Sequence, residues 1–156
     1  MRCWTSCRGP WALTSRPCPG PGRFLTPEQV LARPIPGKWS TLEVVAHLAD
    51  TEIYITDRIE RTLALERPLL IGVDERPYPE RLNYQALDLA EQLELFTALR
   101  RHVTRILRLQ PPDAWQRTAV HSEIGIVTLR QLVFQSVRHL RHHVPYIAEK
   151  RAAMRG

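Results

Sequence analysis

Two of the six histidines in this sequence, His139 and His143, are four residues apart. On a helix this spacing places both imidazoles on one face, one turn apart, where they can reach the same metal ion. Histidines at this spacing also occur facing solvent, or buried and hydrogen-bonded to their neighbours, so the pair needs a third ligand before it indicates a metal site. His142 is rotated by about 60° from His139 and is the less suitable ligand.

His47 is the natural third ligand, because it begins a polar stripe along a predicted helix. Tyr54 and Arg58 follow it by seven and eleven residues, within about 20° of the same direction, and Asp50 and Thr51 flank that line. An apolar stripe borders the polar one; it consists of Val44, Leu48, Ile55 and Ile59. The arrangement suits the wall of an inner cavity, although Tyr54 and Arg58 could also extend along the edge of the core with their polar ends in water.

If His47 joins the pair, three imidazoles on two helices leave coordination positions open, as catalytic zinc sites do. Neutral imidazole also binds nickel, iron and copper, so the ligand type does not fix the metal. Asp50 could orient His47 by accepting the second ring N–H, or it could be a solvated surface acid.

Start and stop signals predict the helices that must position these side chains. Capping boxes at Thr26, Ser40 and Thr128 each begin a helix, and prolines end the first helix after about two turns. The three long helices are predicted over about 40–65, 87–109 and 128–154. Residues 67–82 and 113–127 are predicted to be loops, with no strand alternation and no glycine-rich phosphate loop. We therefore expect an all-α bundle whose site is built from facing helices.

Composition and charge exclude several classes of protein. The chain has 156 residues, of which 44% are hydrophobic and 24% charged, as in an ordinary soluble domain, and charges interrupt every apolar run that could cross a membrane. The net charge of +6 arises mostly from four arginines in residues 1–23, which contain no acid, so residues 24–156 carry 18 bases against 16 acids. A body charge of only +2 argues against nucleic acid as a partner.

Residues 1–23 differ from the rest of the chain. They contain four prolines and three glycines without periodicity, which predicts a disordered tail, whereas residues 24–156 form the helical domain. The cysteines, Cys3, Cys7 and Cys18, all lie in the tail. A body without cysteine has no thiol nucleophile or disulfide of its own, which fits a cytoplasmic protein and means that any thiol chemistry needs an external small molecule.

The order and spacing of several motifs, spread over residues 27–148, resemble the DinB-like superfamily of metal-binding four-helix bundles, in its YfiT-like branch. The matching segments are Pro34-x-Pro36-Gly37-x-Trp39-Ser40, His47-Leu48-x-Asp50-x-Glu52, Arg58, Pro68, Asp74, the leucine-rich segment 88–99, Trp115-x-Arg117-x3-His121-x3-Gly125-x2-Thr128-Leu129, and His139-x2-His142-His143. The resemblance implies a divalent metal, with zinc or nickel the usual choice, held by His47, His139 and His143.

The resemblance also implies a function. Members of this superfamily include transferases that use a low-molecular-weight thiol and others described as metal-dependent hydrolases. We expect first a metal-dependent enzyme that activates a small thiol for transfer to an electrophilic small-molecule substrate. The alternatives are a metal-dependent hydrolase of small amides or esters, and a non-catalytic metal-binding module. Candidate residues on the substrate side are Tyr54, Arg58, Asp50 and His121.

Two features depart from the family pattern. The first helix is shortened or missing, which would expose His47 and Trp39 unless a partner subunit, in a homodimer, fills the gap. Pro145 lies inside the last helix, two residues after His143, where it removes a backbone hydrogen bond and is predicted to kink the chain. Such a kink would change whether the His143 side chain reaches the metal.

Overall fold

Three long helices dominate the computed structural model, which describes residues 25–154. They are α2 (Thr41–Ala64), α4 (Leu89–Arg108) and α5 (Leu129–Ala153). Two short helices, α1 (Pro27–Leu31) and α3 (Tyr78–Arg81), precede α2 and α4 respectively. The prediction of an all-α bundle with three long helices and a shortened first helix is confirmed. The predicted tail, residues 1–23, lies outside the described residues.

Capping boxes fix where the helices that carry the histidines begin. The Ser40 hydroxyl accepts a hydrogen bond from the backbone N–H of Glu43 at 3.1 Å, and the Glu43 carboxylate accepts the backbone N–H of Ser40 at 2.7 Å. Thr128 and Gln131 form the same reciprocal pair at the start of α5. Each box satisfies N–H groups that the first turn leaves without partners and so fixes the first residue of the helix. The rotation of every later side chain about the helix axis follows from that start.

The helix α2 is the centre of the bundle, because α4 and α5 both pack against it and contact each other little. Near the end of α2, Ile55 and Ile59 share a buried cluster with Leu129 and Leu132 from the start of α5. The two helices are therefore antiparallel. This orientation brings the start of α2, with His47, against the second half of α5.

A small three-stranded sheet replaces part of the two predicted loops. The strands are β1 (Leu69–Leu70), β2 (Thr118–His121) and β3 (Gly125–Thr128), in the order β1-β2-β3, with β1 parallel and β3 antiparallel to β2. The expectation that strands are absent was wrong, because strands of two to four residues are too short to show a period. The sheet ties the segment that follows α2 to the hairpin that precedes α5.

The remaining helical segments include two 3₁₀ turns, Tyr84–Ala86 before α4 and Pro112–Gln116 after it. The helix α5 continues through Pro145, so this proline does not separate His143 from the rest of the helix. None of the helices between residues 25 and 154 is long and apolar enough to cross a membrane.

Candidate metal centre

His47, His139 and His143 meet where the start of α2 crosses the second half of α5. The Nε2 atom of His47 lies 3.1 Å from that of His139 and 3.2 Å from that of His143, and the latter two are 3.1 Å apart. Nitrogens bound to a metal at 2.0–2.1 Å with angles of 90–109° are separated by about 2.8–3.4 Å. The observed spacing is therefore that of three ligands on one face of a metal ion.

Hydrogen bonds alone cannot account for this triangle of nitrogens. Each contact would need one donor and one acceptor, and the Nε2 atom of a neutral imidazole is either one or the other. Among three such atoms at least two must be of the same kind, both donors or both acceptors. The contact between those two is repulsive. A cation at the centre accepts all three lone pairs, and the residues present therefore fit a divalent metal. Imidazole suits zinc and nickel equally well, so this geometry leaves the element open.

Burial keeps the three imidazoles neutral. It lowers the pKa of His139 to about 4 and the pKa of His143 to about 3, and the proximity of the other histidines adds to both shifts. Burial also lowers the pKa of His47. Neutral rings offer their lone pairs to a metal without first losing a proton.

The expectation that the shortened first helix would leave His47 exposed was wrong. Only 3% of His47 is exposed, because the Trp39 ring lies 5.1 Å from its ring and the two histidines of α5 cover its other side. Trp39 itself is half-buried. The predicted loss of reach at His143 is also absent, since its ring nitrogen contacts both partners.

A cavity of about 220 Å³ opens beside the triad. It lies between α2, α5, the segment after β1 and the tip of the β2–β3 hairpin. The lining residues are Thr51, Tyr54, Ile55, Arg58, Val73, Glu75, His121, Glu123, Ile124, Gln135 and His139. The volume is that of a small ligand, and the imidazole of His139 forms part of its wall.

Three of the four predicted substrate-side residues line this cavity. Tyr54 and Arg58 extend into it from α2, and His121 lies at the end of β2 with its Nδ1 accepting the backbone N–H of Glu123 at 3.2 Å. Asp50 is placed elsewhere: its carboxylate accepts a hydrogen bond from the Tyr84 hydroxyl. The predicted role of Asp50 in orienting His47 through a direct hydrogen bond is therefore not observed.

Glu75 is a residue beside the triad that the sequence did not indicate. One carboxylate oxygen lies 3.9 Å from the Nε2 atom of His47, and the other accepts a hydrogen bond from the Tyr54 hydroxyl. Burial, together with this hydrogen bond, raises the pKa of Tyr54, which keeps the hydroxyl protonated as the donor. Glu75 thus places a carboxylate beside the triad on the side of the cavity.

Comparisons with known proteins agree with this geometry. The sequence model described as the DinB superfamily matches residues 23–147. A relative from Oceanobacillus iheyensis, named "Putative metal-dependent hydrolase", is 28% identical over 111 residues, which cover 71% of this chain and 64% of the relative. YfiT from Bacillus subtilis has the same descriptive name and is 29% identical over 114 residues, 72% of this chain and 64% of the relative. The chain thus spans just under two thirds of the length of these curated relatives.

A solved structure shows the same architecture. It is that of YfiT from Bacillus subtilis, described as "a probable metal-dependent hydrolase with an unusual four-helix bundle topology". The TM-score is 0.76 with 27% sequence identity, and the match covers 83% of this chain and 75% of the other. The names of these relatives are those of hydrolases and give no support to thiol transfer.

Proposed function

We propose that this chain, which belongs to the DinB superfamily, is a metal-dependent hydrolase of small amides or esters, with His47, His139 and His143 as the metal ligands. The observation that carries the proposal is the convergence of three neutral imidazole nitrogens, 3.1–3.2 Å apart, at the wall of a cavity. Three ligands leave positions at which a substrate or a nucleophile can bind. A structural metal site would close those positions with protein side chains.

A divalent metal at this site would polarise a carbonyl group and lower the pKa of a bound nucleophile. The protein residues supply the remaining functions. The carboxylate of Glu75 accepts a proton from the attacking water, because it is the acidic group closest to the triad and faces the cavity. Tyr54 holds that carboxylate in place through its hydroxyl. His121 and Arg58, which also line the cavity, contact the substrate.

The same ligands could present a small thiol in place of water, which is the function expected first from the sequence. One assay separates the two reactions: metal-loaded protein is mixed with an activated ester, with and without a low-molecular-weight thiol. Hydrolysis requires only water, so we expect the same rate of ester consumption in both samples once the rate measured without protein is subtracted from each. Consumption that depends on the thiol would instead support thiol transfer.

The metal site is tested by elemental analysis of the purified protein. We expect close to one metal ion per chain in the wild type, and loss of that metal in the His139→Ala/His143→Ala double variant. His142→Ala is the matched control: it lies on the same helix, next to His143, but outside the triad. The same amount of bound metal in all three proteins, close to one ion per chain, would overturn the site. Absence of metal in all three would leave a non-catalytic module as the better description.

A homodimer and a cytoplasmic location, both expected from the sequence, stay predictions.

A further inference from the structure

Arg58 is a buried cation in the wall of the cavity. Only 9% of the residue is exposed, and its guanidinium lies 4.8 Å from the centre of the Tyr54 ring. One of its nitrogens, Nη2, donates a hydrogen bond to the backbone carbonyl of Ile71 at 2.7 Å. No carboxylate among residues 25–154 forms an ion pair with it.

The Arg58 nitrogens without a hydrogen-bond partner are not fully buried, so they face the cavity. A ligand that enters the cavity and excludes water must replace their hydration with a counter-charge or several hydrogen bonds. A guanidinium has five N–H donors, and the Ile71 carbonyl uses one. The others are left for a group that enters the cavity. The planar fork of these donors matches a carboxylate, which accepts two parallel hydrogen bonds from it.

The rest of the lining limits the kind of anion. Two carboxylates, Glu75 and Glu123, also border the cavity. The Tyr54 hydroxyl donates a hydrogen bond to Glu75, and the carboxylate of Glu123 lies so close to Gly72 that a Cβ atom there would overlap it. These negative charges disfavour a doubly charged group such as phosphate more than a singly charged carboxylate.

The lining also contains apolar residues. His139 marks the metal end and Arg58 the other, and both contact the same space. Ile55, Val73 and Ile124 provide apolar surface for whatever spans them. Thr51 and Arg58, both in the lining, are seven residues apart on α2, a rise of about 10 Å, and the Arg58 side chain leans back toward the start of the helix. A ligand that contacts both the triad and Arg58 therefore needs a short chain of atoms between its two polar ends.

We propose that Arg58 binds a carboxylate of the substrate, so that the enzyme acts on small carboxylic acids in which a short apolar chain separates the carboxylate from the reacting group. This proposal depends on the hydrolase function proposed above in one respect, namely that the reacting group is an amide or ester at the metal. The carboxylate contact is a property of Arg58 itself.

Two hydroxamates test it by calorimetric titration of the metal-loaded protein. Both bind divalent metals through the hydroxamate; pentanohydroxamate has a neutral tail, whereas glutaric monohydroxamate has a carboxylate at the same position. We expect the wild type to bind the carboxylate probe about 10- to 100-fold more tightly, the range for a hydrogen bond to a charged group. In Arg58→Gln this preference disappears and the affinity for the neutral probe is unchanged.

Three further variants serve as controls. Arg58→Lys keeps the positive charge but loses the planar pair of donors, so we expect a preference for the carboxylate probe between those of the wild type and Arg58→Gln. If Arg58→Gln does not fold, Arg58→Lys takes its place in the test. Arg76→Gln removes an exposed arginine that pairs with Asp74 outside the cavity, and we expect it to match the wild type. Glu123→Gln removes a like charge from the lining and is expected to leave carboxylate binding unchanged or tighter.

The outcomes separate this proposal from the proposed function. A wild type without preference, or a preference that persists in Arg58→Gln, overturns the role of Arg58. If the neutral probe fails to bind the wild type and no metal is found, the metal-dependent function fails instead. Glutarate is then titrated into the same proteins: binding that Arg58→Gln abolishes supports the carboxylate contact, and no binding overturns it.

Discussion

At the scale of single residues, the histidine triad has the geometry and the protonation state that a divalent metal requires. Three ring nitrogens 3.1–3.2 Å apart are incompatible with two or three protonated imidazoles, because charged rings at this distance repel each other. Burial supplies this condition by lowering the pKa of each ring. The apo protein therefore presents lone pairs at neutral pH, and metal uptake requires little proton release.

Replacing Glu75 with glutamine tests its role as proton acceptor. The glutamine side chain is isosteric and can still accept the Tyr54 hydroxyl, but it cannot take up a proton. Loss of a positioned base lowers kcat by about 10²- to 10⁴-fold, and the metal content should not change because Glu75 is outside the triad. Steady-state kinetics of ester hydrolysis and elemental analysis of the same sample measure both effects.

Glu123→Gln is the matched control, since Glu123 also lines the cavity but does not contact the triad. Two results would contradict the role of Glu75. An unchanged kcat would show that another group accepts the proton, and loss of metal would identify Glu75 as a ligand.

Helical periodicity in the sequence predicted those residues of the candidate site that lie on one face of a single helix. The four-residue spacing of His139 and His143, and the line from His47 through Tyr54 to Arg58, follow from the geometry of a single helix. Glu75 has no such signal, because it lies in an irregular segment whose course depends on β1 and on the hydrogen bond from Arg58 to Ile71. Asp50 was placed at the site for its adjacency in sequence, whereas Tyr84 in fact engages it.

At the scale of elements, α5 carries two of the three proposed ligands although a proline lies inside it. Pro145 has no N–H for the carbonyl of Arg141, so one hydrogen bond of the helix is missing two residues after His143. The helix nevertheless continues to Ala153 and both histidines reach His47. The helix on either side of the proline is therefore sufficient to position the ligands.

The Pro145→Ala variant measures how much this proline lowers the free energy of unfolding. The alanine restores the missing hydrogen bond and removes the clash with the preceding turn, so we expect the free energy of unfolding to rise by about 1–3 kcal/mol. Because both ligands are already in position, the metal content should stay the same. Chemical denaturation and elemental analysis provide the two readouts.

Val144→Ala, which changes the neighbouring exposed residue on the same helix, is the control for a general effect of alanine. A less stable Pro145→Ala protein would mean that the proline ring makes packing contacts that outweigh the lost hydrogen bond. Reduced metal content would show that the proline sets the angle of His143.

Element boundaries were predictable where the chain carries its own start signals. The capping boxes at Ser40 and Thr128 each satisfy N–H groups within one turn, so they act locally and can be found in sequence. The sheet depends instead on a parallel pairing between Leu69 and Val120, which are distant in sequence, and on a hairpin of four-residue strands. Neither the parallel pairing nor the hairpin produces a sequence pattern long enough to recognise.

At the scale of the whole molecule, the buried triad links the stability of the metal-free protein to pH. The pKa values of His139 and His143 fall to about 4 and 3, whereas an unfolded histidine titrates near 6.5. Between these values the unfolded chain binds more protons than the folded chain. The stabilisation is thus complete above pH 6.5 and is lost as the pH falls toward 4.

We therefore expect the free energy of unfolding of the metal-free protein to decrease between pH 6.5 and 4, by about 1.4 kcal/mol per pH unit for each proton by which the two states differ. Urea denaturation at several pH values measures this slope. The His139→Ala/His143→Ala variant should show a shallower slope over the same range. Burial raises the pKa of Glu52, so Glu52 contributes to the pH dependence of stability with the opposite sign, and equally in both proteins. The difference between the two slopes is therefore the contribution of His139 and His143. Equal slopes would mean that the fold does not hold His139 and His143 neutral, and the proposed metal site would lose its electrostatic basis.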